Sequence, residues 1–112
     1  MLSAKVSGEA IFFVENPEIE AMVVKITKCE SESLPDRWGD CDRTGIKNER
    51  HCHAFGVAQF WKSTFYRHAK LANLEHPEWK STKDQLTLLR WALRPENKIY
   101  AREWSCYHKI YK

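Results

Sequence analysis

The apolar positions of this chain fall into two regimes, one with a strand-like period and one with a helical period. Residues 8–14, Gly-Glu-Ala-Ile-Phe-Phe-Val, are an apolar run rich in strand formers and predict a first strand. Glu15-Asn16-Pro17-Glu18 then reads as a turn, because Asn-Pro initiates turns and proline has no amide to donate. Over residues 22–28, Val24 and Ile26 alternate with Lys25 and Thr27, which predicts a second strand with one buried and one wet face. The two strands would form an antiparallel hairpin. Residues 31–43 are polar and acidic, and Pro35 predicts a short helix over 35–42, ended near Gly45. Phe55 and Val57 alternate with Ala54 and Gly56, so 51–57 reads as a third strand or as the lead into a helix.

From residue 58 to residue 74 the period becomes helical, with Trp61, Phe65, His68 and Ala72 at three- and four-residue steps. His76-Pro77 breaks this run. Ser81-Thr82-Lys83-Asp84 is a capping-box-like helix start, followed by an inward stripe of Leu86, Leu89 and Leu93. Pro95 stops that helix and opens a last one, read to about residue 111. At 100° per residue, Tyr100, Trp104, Tyr107 and Tyr111 share one side of it, while Lys98, Arg102, Ser105, Lys109 and Lys112 share the other. Taken together, the pattern predicts a single α+β domain over residues 1–112. Its N-terminal antiparallel β-hairpin or three-stranded sheet would pack with three to four helices, mainly C-terminal.

Length and composition agree with one domain that folds without a metal or a disulfide. The longest apolar run, Ala10 to Val14, is far too short to span a bilayer, and the first residues lack a basic-then-apolar leader. The expected location is therefore cytoplasmic or nuclear, with no membrane partner. Cys29, Cys41, Cys52 and Cys106 contain no Cys-x-x-Cys pair, so in a reducing compartment they read as four free thiols, mostly buried.

Charge adds a second asymmetry. Residues 1–59 hold 7 Lys/Arg against 10 Asp/Glu, a net of −3, whereas residues 60–112 hold 11 against 5, a net of +6. Evenly spaced cations on a helix can track a phosphate backbone and release its counterions. Lys98, Arg102, Lys109 and Lys112 would form such a surface, extended by Lys83, Arg90 and Arg94. Trp61, Trp91 and Trp104 sit on apolar stripes and read as core. Trp79, in a loop outside any stripe, is the expected exposed aromatic contact. The leading expectation is thus a small non-catalytic nucleic-acid-binding protein using a basic helix face. The alternative is a protein-interaction or inhibitor module whose acidic N-terminal half and aromatics meet another protein.

Chemistry-bearing clusters are sparse. The densest candidate metal ligands are Cys41, His51, Cys52 and His53, but a tetrahedral site needs converging close pairs. On a strand, His51 and His53 share a face from which Cys52 points away, so no metal is expected. Cys52 and Cys106 each have a histidine nearby in sequence, which does not place an imidazole on the thiol. Glycine-rich phosphate loops are absent and no cofactor is expected.

The order hairpin, short helix, third strand and helices, with Ala10-Ile11-Phe12, Val24-Lys25-Ile26-Thr27 and then Asp36-Arg37-Trp38, resembles the GIY-YIG nuclease family in degenerate form over residues 8–58. The resemblance implies a catalytic arginine at Arg37 and a metal-holding glutamate, Glu75 or Glu103, for cleavage of a phosphodiester. Phe12, Lys25 and Thr27 depart from the family's tyrosines and glycine, which implies a lost catalytic apparatus. The final helices also resemble an HMG box through Trp91, Pro95-Glu96, Lys98 and Tyr100.

Overall fold

A computed structural model describes residues 16–111. The strand anticipated over residues 8–14 lies outside the described residues, as does Lys112.

The first described element is α1, Pro17–Ser31. Asn16 and Pro17, read above as a turn, are its cap and first residue. The Asn16 side chain accepts from the Ile19 amide at 3.2 Å, and proline at the first helical position loses no bond. Glu18 and Glu20 sit in the first turn, where the helix dipole favours anions. The segment 22–28 is therefore helical and not a strand. Ile19, Val23 and Ile26 recur at steps of four and three and are buried, while Val24 is exposed. A four-residue alternation is compatible with either period, and burial of this face against the helix of residues 82–93 decides for the helix. Thr27 is tolerated because its hydroxyl donates to the Val23 carbonyl at 2.8 Å.

Residues 35–42 are also not helical. They lead into β1, Trp38–Cys41, which pairs antiparallel with β2, Cys52–Phe55, in the register Trp38↔Phe55, Gly39↔Ala54 and Cys41↔Cys52. β3, Phe60–Trp61, pairs antiparallel with β2 and completes a sheet of order β1-β2-β3. Residues 58–59, assigned above to a helix, form the β2–β3 turn. The helix starts only at Lys62: α2, Lys62–Leu71. α3, Thr82–Leu93, begins at Ser81 as anticipated, with the Ser81 hydroxyl accepting from the Asp84 amide at 3.1 Å.

The single C-terminal helix is broken into three pieces. A 3₁₀ turn at Pro95–Asn97 leads to α4, Lys98–Ala101, and α5, Ser105–Ile110, follows a turn over residues 102–104. The break lets Trp104 enter the core, where its indole N–H donates to the Ala58 carbonyl at 2.8 Å. The molecule is α+β, with most helices C-terminal to the sheet. No described helix is long and apolar enough to cross a membrane.

Phe60, Phe65, Ile26, Leu88 and Leu89 form the centre of the core. Three polar side chains, Gln85, Ser31 and His68, are fully buried with them, and the first two fix the β2–β3 turn. Gln85 accepts from the Ala58 amide and donates to the Phe55 and Trp79 carbonyls, which fixes the β2–β3 turn on α3. Ser31 donates to the Val57 carbonyl at 2.7 Å and so fixes the end of α1 on the same turn. The cysteines are not free thiols. Cys29–Cys106 ties α1 to α5, and Cys41–Cys52 bridges β1 and β2. Sequence spacing is blind to this pairing, because it is the sheet register and the docking of α5 that bring the sulfurs together.

Candidate functional site

Three polypeptide junctions meet around one cleft of about 350 Å³: the end of α1, the β2–β3 turn, and the turn before α5. They contribute Glu30, Gln59 and Glu103. Asp40 of β1, Trp61 of β3, Thr64 of α2 and Ser105 of α5 complete the polar lining. An adjoining hollow of about 430 Å³ shares Glu30, Asp40, Gln59 and Ser105 and continues toward Arg37 and Lys47.

The lining residues are held tightly. Glu30 follows from the anchored end of α1, and its Oε2 accepts from the Cys106 amide at 3.1 Å. Gln59 donates to the Arg37 and Gly56 carbonyls, both at 2.9 Å, and its side chain occupies the space over Gly39. Trp61 is 45% exposed, stacks on His53, and donates its indole N–H to Oδ2 of Asp40 at 2.8 Å. Asp40 and Gln59 both adopt a left-handed backbone, with φ of 52° and 53°. Such conformations cost energy in non-glycine residues and tend to collect where a side chain is being aimed.

The two cleft glutamates are driven in opposite directions. Burial raises the pKa of Glu30 from its ordinary value; Asp40 adds to the rise, while the Cys106 amide and Lys109 oppose it. For Glu103, burial is also the largest single influence and acts upward. It is outweighed by the Arg67 and His68 hydrogen bonds and charges together, and the pKa falls. Arg67 lies 2.5 Å and His68 Nε2 3.3 Å from the same Glu103 oxygen. Burial lowers the His68 pKa, consistent with a neutral ring among Phe60, Trp91, Tyr100 and Trp104. Its Nδ1 is buried without a hydrogen-bond partner among the described residues, so the proton belongs on Nε2, facing Glu103.

The residues singled out from sequence are placed elsewhere. Lys83, Arg94, Lys98, Arg102 and Lys109 are exposed. The break between α4 and α5 removes the continuous helix that would have aligned Lys98, Arg102 and Lys109. Arg90 is engaged by Glu20 through contacts of 2.7 and 3.2 Å. Trp79 is not an exposed contact: it is 4% exposed, its indole donates to the Phe60 carbonyl, and it packs edge-on against Trp38 and Phe55. Trp61, read as core, is the exposed tryptophan.

Among the metal candidates, Cys41 and Cys52 are bonded to each other. His51 faces Asp42 at 2.7 Å, and His53 stacks on Trp61. Asp42 itself is lowered to about 2, first by the Thr44 hydroxyl and then by His51. No group of three or more His, Cys, Asp or Glu able to hold a metal occurs among the described residues. Arg37 is exposed and paired with Glu32 at 3.0 Å. The segment 24–27, which carries the second GIY-YIG-like motif, lies inside α1.

Sequence reasoning missed Glu30, Asp40, Gln59, Trp61 and Thr64 as site residues. One signal was present. A glutamate in the last turn of a helix opposes the helix dipole, and such a misplaced anion asks for a reason. It was invisible while 22–28 was read as a strand. No protein-family model, curated protein or solved structure matches this chain.

Proposed function

We propose that this protein cleaves glycosidic bonds in a polysaccharide, with Glu30 as the general acid. The observation that carries this reading is that Glu30 and Glu103 line one cleft while their environments push their proton affinities apart. Glycoside cleavage uses that division of labour: one carboxyl that holds its proton more tightly than usual, and a nearby carboxylate that stays charged. Glu30 protonates the leaving oxygen as the glycosidic bond breaks. The resulting positive charge on the sugar ring is met by the anions at Asp40 and Glu103. Glu30, now ionised, is stabilised by the Cys106 amide and Lys109 until it takes a proton from the attacking water, whose oxygen bonds to the anomeric carbon and completes the hydrolysis.

The rest of the lining suits an uncharged, hydroxyl-rich ligand. Gln59, Thr64 and Ser105 offer hydrogen-bonding groups, and half-exposed Trp61 offers an aromatic surface of the amphipathic kind that sugars pack on. A phosphodiester fits the cleft poorly, because its lining carries three carboxylic side chains and no cation. The two disulfides favour an oxidising compartment over the cytoplasmic or nuclear location anticipated above.

Purified, oxidised protein is to be incubated with a panel of neutral and amino-sugar polysaccharides, and polymer chain length followed by size-exclusion chromatography. Shortening of at least one polymer, reduced about 10²-fold or more in Glu30→Gln, is the expected result. No shortening of any polymer, or full activity in Glu30→Gln, overturns the reading.

A second reading, nucleic-acid binding without catalysis, draws on a separate surface. Lys83, Arg94, Lys98 and Arg102 are exposed and have no side-chain ion-pair partner among the described residues, whereas Arg37, Lys62, Arg67 and Arg90 are paired. Unpaired cations of this kind supply the sequence-independent part of binding to a phosphate backbone.

A further inference from the structure

Glu30 is flanked by a covalent link that its chemistry does not itself require. Cys29 precedes it in the chain, and Cys106, the disulfide partner of Cys29, supplies the backbone amide that donates to Glu30 Oε2 at 3.1 Å. One bridge therefore spans the acid and its hydrogen-bond donor, across a sequence separation of 77 residues. We propose that the Cys29–Cys106 disulfide is the positioning element of Glu30, holding the Cys106 amide against its carboxyl so that the acid centre operates only in the oxidised protein.

α5 has six residues, too few to hold its own shape or place without tertiary ties. Its ties to the rest of the molecule are the disulfide, the neighbouring Trp104, whose indole bonds the Ala58 carbonyl, and Tyr107 and Ile110, which pack against the core; of these only the disulfide acts on Cys106, the residue whose amide meets Glu30. Loss of the disulfide leaves Trp104 anchored, and leaves Ser31 holding the end of α1 to Val57. The fold then persists, while the amide two residues beyond Trp104 is freed from Glu30. Each bridge has one buried cysteine, Cys106 or Cys52; the more accessible sulfur is that of exposed Cys29 in this bridge and of half-buried Cys41 in the other. A dithiol reaching Cys29 cleaves its S–S bond, passes two hydrogens and two electrons to the cysteine pair, and closes its own disulfide. The other charged groups around Glu30 are Asp40 from β1, Glu103 from the turn before α5, Arg37 and Lys47 across the adjoining hollow, and Lys109, which rides on α5 and shifts Glu30 in the same direction as the Cys106 amide.

The test compares oxidised wild type with Cys29→Ser/Cys106→Ser and Cys41→Ser/Cys52→Ser. Its first arm is a carbon-13 NMR titration of the Glu30 side-chain carboxyl; its second is polysaccharide cleavage. Loss of the Cys106 donor removes a bond that favours the ionised form, so the Glu30 midpoint rises in the first variant. The turnover rate there falls about tenfold or more with little change in KM, as for a misplaced catalytic group. An unchanged midpoint in the folded first variant, or an equal shift in the Cys41/Cys52 variant, overturns the assignment. If the first variant does not fold, wild type reduced by a dithiol under native conditions gives the same comparison, with the same outcomes. The cleavage arm rests on the glycosidic reading and the titration arm does not. Failure of that reading therefore appears as unimpaired cleavage by Glu30→Gln, whatever the titration shows.

Discussion

The side-chain nitrogen of Gln85 lies where Gly56 has room only for hydrogen: a Cβ on Gly56 would stand 2.4 Å from Nε2. Gly56 also has a φ of +94°, which other residues rarely adopt. The pair locks the turn from which Ala58 and Gln59 project, and through it the floor of the cleft. Gly56→Ala is expected to cost about 1–3 kcal/mol from backbone strain alone, before any displacement of Gln85. Gln85→Leu strands the Ala58 amide and the Phe55 and Trp79 carbonyls, at about 1–3 kcal/mol for each group left unsatisfied. Urea denaturation of both variants checks these values.

Trp61 and Trp79 are expected to exchange the roles that their sequence positions suggest. Trp79→Ala, and likewise Trp104→Ala, should destabilise the fold by about 3–5 kcal/mol, since both rings are core and their indoles are bonded to buried carbonyls. Trp61→Ala should cost about 1 kcal/mol or less in stability, yet weaken polysaccharide binding by about tenfold. Thermal unfolding together with titration calorimetry separates the two effects.

The pH dependence of stability should carry the signature of Glu30. Its folded-state pKa is raised above the unfolded value, so the folded protein binds the extra proton between those two values. Stability therefore falls as pH rises through that window, and the penalty is fully present above the folded value. Glu30→Gln removes the penalty, so it should be more stable than wild type above the window and equal to it well below. Catalysis has the same sign: the rate should fall as pH rises through the folded value, because the general acid loses its proton. Glu103 behaves oppositely. Its pKa is depressed, and its contribution to stability is lost as pH falls through the folded value. Chemical denaturation across a pH series, for wild type, Glu30→Gln and Glu103→Gln, reads all three.

Arg94→Glu/Lys98→Glu/Arg102→Glu probes the basic surface without touching the cleft; Lys109 is left intact because its charge faces Glu30. Folding should change by about 0.5 kcal/mol or less per site, and polysaccharide cleavage should be retained. If the second reading holds, binding to DNA or RNA in gel-shift titrations at two salt concentrations drops sharply, and the salt slope shrinks. Equal affinities for wild type and variant would leave these cations as a solvated face.

The sequence by itself determined the class and the punctuation of this fold. The start of α3 at Ser81 is set by a hydroxyl and an amide three residues apart, which is short-range physics; the segment 51–57 read equally as a strand or as the lead into a helix, and pairing with β1 and β3 decides for a strand at residues 52–55. The start of α1 was equally local, in Asn16-Pro17, but the same two residues also serve as a turn signal. Only the burial of Ile19, Val23 and Ile26 against α3 separates those meanings. Tertiary structure alone decided the rest. The last helix had an unbroken period, yet it breaks at residues 102–104 because Trp104 gains more from the core and the Ala58 carbonyl than from a continued helix. The cysteine pairing and the burial of Trp79 depend on residues far away in sequence. So does the cleft, whose two opposed glutamates lie 73 positions apart and acquire their different proton affinities from neighbours that only folding supplies.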